Sequence, residues 1–166
     1  MRFLGGFEWD SRLCSALAGL EAGILGGLCL LLWQALGSLL AGQDVWSGPV
    51  RLVTAAFGRR VYRDGLVTAA SAGVALQLVG GGLVGVLFGL TLRAAWASRR
   101  VVLLGLVYGL GWYYLAYEVL LRRLGSGPYS FAPRQSLMLA HLVFGLVLAS
   151  CPRFLHSLHH GLWGGE

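Results

Sequence analysis

Residues 66–92, LVTAASAGVALQLVGGGLVGVLFGLTL, form a continuous apolar stretch without a charged side chain. A helix of this length, at about 1.5 Å per residue, exceeds the roughly 30 Å hydrocarbon core of a bilayer. Small residues and one glutamine recur every four positions along it, which places them in one stripe on a helix. Small residues at this spacing let a second helix approach until the backbones touch. The stretch therefore predicts a membrane-spanning helix with one close-packing face, formed by Ala69, Gly73, Gln77, Gly81, Gly85 and Gly89.

Three further apolar stretches lie outside this one, so four spans are predicted, over about 22–41, 66–92, 101–121 and 134–151. The predicted fold is all-α, with residues 1–166 forming a single transmembrane four-helix bundle. Small residues recur at a spacing of four in and next to the first span and in the third span as well. The predicted helix-packing residues are Gly19, Gly23, Gly27, Gly73, Gly81, Gly85, Gly89, Gly105 and Gly109.

Composition independently indicates a membrane protein. Of the 166 residues, 57% are hydrophobic and only 12% are charged, about half of the roughly 25% typical of soluble domains. These values exclude a soluble enzyme, a disordered tail and a disulfide-stapled module. All 13 basic residues are arginine, against 7 acidic residues, and they flank the apolar stretches, so lipid headgroups are expected partners and nucleic acid is not. The arginines divide almost equally between the two sides, which leaves the orientation open.

The connection between spans one and two contains the basic, apolar-rich sequence PVRLVTAAFGRRVYRDG. We predict an interfacial helix from Pro49 to Asp64 that lies on the membrane surface with its apolar side down. The alternative is an ordinary basic loop at the membrane edge. The arginines expected among lipid phosphates are Arg51, Arg59, Arg60 and Arg63.

A few polar side chains fall inside the predicted spans. With the centre of each span placed at the bilayer midplane, Gln34, Gln77 and His141 lie at a similar depth, and Tyr113 is available at that depth on span three. Polar groups inside a bilayer usually face the bundle interior or a cavity. One hypothesis is therefore an interior site for a headgroup, quinone, pigment or permeating solute. The alternative is hydrogen bonding between helices that only holds the bundle together.

His141 raises the question of a tetrapyrrole cofactor. Haem bound between two helices usually takes two axial ligands, and no second histidine lies inside a span. A chlorophyll-type pigment needs only one ligand, and Gly145, one turn away, could leave space for its ring. We expect no cofactor, and the favoured interpretation of His141 is a hydrogen-bonded structural histidine; haem or chlorophyll at His141 is the alternative.

No arrangement of side chains predicts catalysis or a metal site. The few carboxylates do not share a helix face in the way that general acid–base chemistry requires. Glu118 and Arg122 are spaced as an i, i+4 ion pair at the end of a span. The carboxy-terminal histidines have a weak metal-ligand spacing without further ligands beside them, and we expect no metal there; they are His156, His159 and His160.

Three segments carry a resemblance to known proteins: FGRRVYRDG before span two, LVYGLGWYYLAYEVL in span three and AHLVFGLVLA in span four. They resemble small four-span bacterial integral membrane proteins of uncharacterised function. The most distinctive match is a His-x-x-Phe-Gly turn made by His141, Phe144 and Gly145. The resemblance implies a multi-pass fold in the bacterial inner (cytoplasmic) membrane.

These observations predict a non-catalytic accessory or scaffold subunit of a larger bacterial membrane complex, such as a respiratory or photosynthetic one. It would pack through its glycine-rich helix faces against other integral membrane subunits or a second copy, and contact anionic lipid through its arginines. The alternative is a ligand-handling bundle, either a small transporter or a pigment- or quinone-binding subunit, that uses the polar side chains near the midplane.

Overall fold

The computed structural model of the chain describes residues 3–92, 97–121 and 134–155, and their side chains apart from those of 3–11, 59, 64, 120 and 121. Within these ranges the chain is helical and contains no strand, which confirms the all-α prediction there. Four helical stretches are long and apolar enough to cross a membrane. They are Arg12–Leu40, Leu66–Thr91, Ser98–Val119 and Arg134–Leu155.

The described residues include α-helices, a 3-10 helix and a π-helix. Helix α1 begins at Phe3, well before the predicted span at 22–41, so the residues that precede this span belong to the same helix. A π-helix, a wide turn form that is rare in proteins, directly extends α4. The bounds are α1 Phe3–Leu40, α2 Ser47–Phe57, a 3-10 helix Gly58–Asp64, α3 Leu66–Thr91, α4 Ser98–Tyr113, the π-helix Tyr114–Leu121 and α5 Arg134–Leu148.

The predicted single helix from Pro49 to Asp64 is wrong in its extent. The α-helix begins at Ser47 and ends at Phe57, where Gly58 adopts φ 73°. This left-handed conformation suits glycine because it has no Cβ, and it interrupts the α-helical hydrogen-bond pattern. The remaining residues form the 3-10 helix up to Asp64.

Helices α1 and α3 pack antiparallel through a first glycine seam, defined by Gly19, Gly23, Gly81, Gly85 and Gly89. Gly19 lies against Gly85 and Gly89, and Gly23 lies against Gly81 and Gly85. A Cβ atom on Gly85 would overlap the carbonyl oxygen of Gly19 and lie 2.7 Å from the Cα of Gly23. Because the neighbouring atoms belong to backbone, they cannot swing aside. Any larger residue must therefore push the two helices apart.

Helices α4 and α5 pack through a second glycine seam, formed by Gly105, Gly109 and Gly145. A Cβ atom on Gly145 would lie 2.9 Å from the carbonyl carbon of Gly105, and one on Gly109 would overlap the carbonyl oxygen of His141. Gly145 was not among the predicted packing residues, although it completes this seam.

Gly73 has a different partner from the other glycines of α3. It lies against the first turn of α2, where a Cβ atom would be 2.5 Å from the carbonyl carbon of Pro49. Val50 and Val53 of α2 are buried together with Ala69 and Ala70 of α3. Helix α2 is therefore packed along the first half of α3 by its apolar side.

Aromatic rings join the two glycine-seamed pairs. The ring of Phe144 on α5 covers Gly26 on α1, where an added Cβ would lie 2.6 Å from a ring carbon. The indole of Trp112 on α4 covers Gly80 on α3 in the same way, at 2.9 Å. Backbone therefore occupies the space beside the seam glycines, whereas aromatic side chains of the other pair occupy the space beside Gly26 and Gly80.

The first glycine seam predicts a sharp cost for one added methyl group. Gly85→Ala forces the methyl against backbone of α1 and is expected to lower the free energy of unfolding by about 1–3 kcal/mol, the usual cost of overpacking. The measurement is denaturation of the purified chain in detergent.

Gly111→Ala is the matched control, since nothing lies within 4 Å of a Cβ at that helical position. There the better helix propensity of alanine should raise the free energy of unfolding by about 0.5–1 kcal/mol. Equal effects of the two substitutions would contradict the seam.

Candidate functional site

The four polar residues predicted near the midplane occupy different surroundings. Tyr113 and His141 are in contact. Gln34 lies against the start of α2, where a Cβ atom added to Gly48 would be 2.8 Å from Oε1 of Gln34. Gln77 is buried in α3, and its backbone carbonyl oxygen faces Gly27 of α1. A rise of about 1.5 Å per residue puts Gln34 about 10 Å further along α1 than this contact. The structure thus brings together only Tyr113 and His141 of the four.

A compact group, here called the His141 cluster, consists of Tyr113, Tyr117 and His141. The His141 ring centroid lies 5.4 Å from that of Tyr113 and 5.5 Å from that of Tyr117, both edge to face. The two tyrosine rings stack on each other at 5.6 Å. These separations are typical of favourable aromatic pairs. His141 and Tyr113 are buried, at 1% and 8% exposed, and Tyr117 is half-buried beside them.

Tyr117 was not predicted as a site residue. The only signal in the sequence is that it follows Tyr113 by four positions, which places two residues on one side of an α-helix. In the structure Tyr113 ends α4 and Tyr117 lies in the π-helix. Such wide turns occur frequently at functional sites, and here the wide turn carries one of the three cluster members.

The hydrogen bond of His141 fixes the role of one ring nitrogen. Nδ1 lies 2.8 Å from the carbonyl oxygen of Leu137, one turn earlier on α5. A carbonyl can only accept, so Nδ1 carries the hydrogen, and in the neutral ring Nε2 has the lone pair. A buried imidazole held in this tautomer can accept a hydrogen bond or bind a metal through Nε2.

The surroundings of His141 do not fit a tetrapyrrole ring. Gly145, which the sequence offered as space for such a ring, lies against the backbone of Gly105 and of Leu106. The tyrosine rings of the His141 cluster take up two further sides of the imidazole. A haem or chlorophyll at His141 would need α4 and α5 to separate at the second glycine seam.

An ion pair connects the π-helix to the first residue of α5, near the His141 cluster. Arg134 donates from Nη2 to Oε1 of Glu118 across 2.7 Å. The sequence predicted Arg122 as the partner of Glu118, but Arg122 lies outside the described residues. Because the Arg134 side chain is 77% exposed, the pair contributes at most about 1 kcal/mol.

The arginine-rich connection borders two adjoining cavities that the sequence did not predict. One is an apolar groove of about 550 Å³ along α3, and the other a pocket of about 210 Å³ between the α1–α2 turn and the 3-10 helix. Trp46 and Leu66 line both. Of the predicted lipid-binding arginines, Arg51 lines the smaller pocket, Arg60 and Arg63 are exposed, and the side chain of Arg59 lies outside the described part.

Metal ligands do not gather in the described part of the chain, where no group of three histidine, cysteine or acidic side chains occurs. The three carboxy-terminal histidines named above lie beyond residue 155 and so outside the described residues.

Comparison of the chain with family models, curated proteins and solved structures finds no match. The resemblance to small four-span bacterial proteins therefore stays a prediction.

The packing of the His141 cluster predicts a structural cost for losing the imidazole. His141→Ala removes a buried ring that contacts two tyrosines, and the free energy of unfolding should fall by about 2–5 kcal/mol, as for other large-to-alanine changes in cores. Denaturation in detergent measures this loss.

Arg134→Gln, at an exposed position about two helix turns away on α5, is the control and should cost less than about 1 kcal/mol. A His141→Ala variant as stable as Arg134→Gln would show that the imidazole does not hold the helices together.

Proposed function

We propose that the chain is an integral membrane protein whose four long helices form a transmembrane bundle in a bacterial inner membrane. The distribution of residue sizes on α3 carries this proposal. Gly81, Gly85 and Gly89 face α1 and are buried. Leucines on the other side of α3 point outward: Leu83, Leu87 and Leu90 are 61%, 58% and 50% exposed. In water such outward leucines would favour aggregation. In lipid, large apolar side chains face acyl chains and small residues form the helix contacts.

The α2 segment supports an interfacial element between spans one and two. Its apolar side chains Val50 and Val53 are buried against α3, while Arg60 and Arg63 of the following 3-10 helix are exposed. An amphipathic element of this kind at the end of a span suits the headgroup region. The exposed Arg60 and Arg63 would then contact anionic lipid headgroups.

Within the membrane, the proposed role is that of a non-catalytic accessory subunit. The sequence predicted partner contacts through the glycine-rich faces, yet both glycine seams are filled by the chain's own helices. Two other helical glycines, Gly37 on α1 and Gly111 on α4, have nothing within 4 Å of an added Cβ. Close approach of a helix from another subunit, or from a second copy, is therefore possible at these outer positions.

The accessory role predicts a stable complex in native membranes. After extraction in a mild detergent, the chain should migrate with one or more further integral membrane subunits at a fixed stoichiometry. Gly111→Leu and Gly37→Leu should reduce that association without lowering the stability of the isolated chain, because the added side chains meet only open space.

Leu139→Phe, an enlargement at a 53% exposed position of α5, serves as the control and should leave the association intact. A chain that migrates as a monomer in its micelle, without any partner, would overturn the accessory role.

A ligand-handling bundle is the second candidate, and the buried imidazole of the His141 cluster favours it. Its Nδ1 is already bonded to Leu137, which leaves Nε2 for a polar ligand such as a quinone carbonyl. An absorbance spectrum of the protein purified from native membranes would reveal a bound quinone, and His141→Ala should remove the signal. Featureless spectra and unchanged quinone content would count against this candidate.

A further inference from the structure

We infer that the two adjoining cavities beside α2 form one site for a single phospholipid with a zwitterionic, amine-bearing headgroup. The acyl chain would occupy the apolar groove along α3, and the headgroup would occupy the smaller pocket. This inference rests on the proposed placement of the chain in a membrane, and it goes further by assigning a defined lipid class to a defined site.

The groove has the length of an acyl chain within one leaflet. It extends along α3 from Leu66 to Leu78, which at about 1.5 Å per residue is about 18 Å. Half of a hydrocarbon core of roughly 30 Å is about 15 Å. Its volume of about 550 Å³ lies within the usual range of about 300–1,000 Å³ for ligand cavities. One chain of a single leaflet therefore matches the groove.

The lining of the groove is what a hydrocarbon chain requires. Small and larger apolar side chains line it, with a single hydroxyl from Ser71 among them. The residues concerned are Trp46, Leu66, Val67, Ala70, Ser71, Val74, Ala75 and Leu78.

The smaller pocket has one cationic and one anionic side chain. Arg51 and Asp44 both line it, together with the hydroxyl-bearing side chains of Ser47 and Tyr62. A guanidinium binds phosphate oxygens through paired hydrogen bonds, and a carboxylate accepts hydrogen bonds from an ammonium group. A phosphate joined to a primary amine satisfies both charges, whereas a purely anionic headgroup would meet repulsion from Asp44.

Neighbouring groups hold these two side chains in place. Arg51 donates from Nη2 to the side-chain oxygen of Gln43 at 2.5 Å. Oδ1 of Asp44 accepts a hydrogen bond of 2.8 Å from the backbone N–H of Trp46. Side chains fixed before the ligand arrives lose less conformational entropy on binding.

The order of the two cavities follows the polarity of a bilayer. The charged pocket lies where α1 has ended at Leu40 and α3 is about to begin at Leu66, at the edge of two candidate spans. The apolar groove continues from there along α3, and Trp46 lies at the junction of the two. Tryptophan is enriched at this level in membrane proteins. The headgroup would therefore lie in the charged pocket at the membrane surface, and the acyl chain would lie in the apolar groove inside the leaflet.

The test is native mass spectrometry of the purified full chain with added phosphatidylethanolamine or phosphatidylglycerol carrying identical acyl chains. We expect one phosphatidylethanolamine to remain bound per chain, with about tenfold or greater preference over phosphatidylglycerol, as loss of one charge-assisted contact would give. Ala75→Trp, which fills the groove from an exposed position, should abolish this species. Leu83→Trp, on the outer face of α3 but outside the groove, should retain it.

Substitutions in the smaller pocket test the contributions of Asp44 and Arg51 to lipid binding separately. Asp44→Asn should remove the preference for phosphatidylethanolamine, and Arg51→Gln should weaken binding of both lipids, while Arg60→Gln, outside the pocket, should change neither. Equal retention of the two lipids by the unsubstituted chain, or equal behaviour of Ala75→Trp and Leu83→Trp, would overturn the site.

Extraction of native membranes with alkaline carbonate tests the membrane placement separately from the lipid site. A chain that alkaline carbonate extracts from native membranes would overturn the placement and the lipid site together. A chain that resists extraction but retains no phosphatidylethanolamine would overturn the lipid site alone.

Discussion

Direct contact between helix backbones is the constraint on which the rest of this structure depends. In both glycine seams the atoms that face each other are carbonyl oxygens and α-carbons, so the separation of the helices is set by the backbone itself. Dispersion between such closely spaced atoms is individually weak but adds up along the length of a helix. Because the seams use one side of each helix, the bulky side chains must lie on the other sides. The outward leucines of α3 and the aromatic rings between the helix pairs both follow from this constraint.

The sequence predicted the elements of this fold better than their contacts. Apolar length alone was sufficient to find the four long helices, since few other structures tolerate such stretches. The period of four identified Gly81, Gly85 and Gly89 as packing residues, but spacing does not name a partner. Gly73 continues the same stripe and nevertheless faces α2. Gly145 belongs to a seam although α5 has no second glycine at that spacing, because its counterparts, Gly105 and Gly109, are on another helix.

Similar limits apply to the candidate site. The depth of a residue in its span can be read from the sequence, but its direction around the helix axis depends on the packing of the neighbouring helices. The sequence therefore predicts similar depths for Gln34 and His141, although Gln34 lies against α2 and His141 lies against Tyr113 and Tyr117. The spacing of four from Tyr113 places Tyr117 on the same side of its helix, but spacing does not show that His141 of α5 packs against both rings. Gly58 is compatible with both a continuous helix and a helix end, and its positive φ decides between them.

The backbone contacts of the seams also bear on how this chain would diverge over evolutionary time. In a bilayer, exchanging an outward leucine for valine, isoleucine or phenylalanine replaces one lipid-facing hydrocarbon with another and costs little. A seam glycine has no acceptable substitute because every other residue brings a Cβ into backbone. Mutation should therefore alter the outer faces freely while it preserves a sparse set of glycines. Descendants of a common ancestor would share the period of four and its pairing between helices long after their overall sequence identity had decayed.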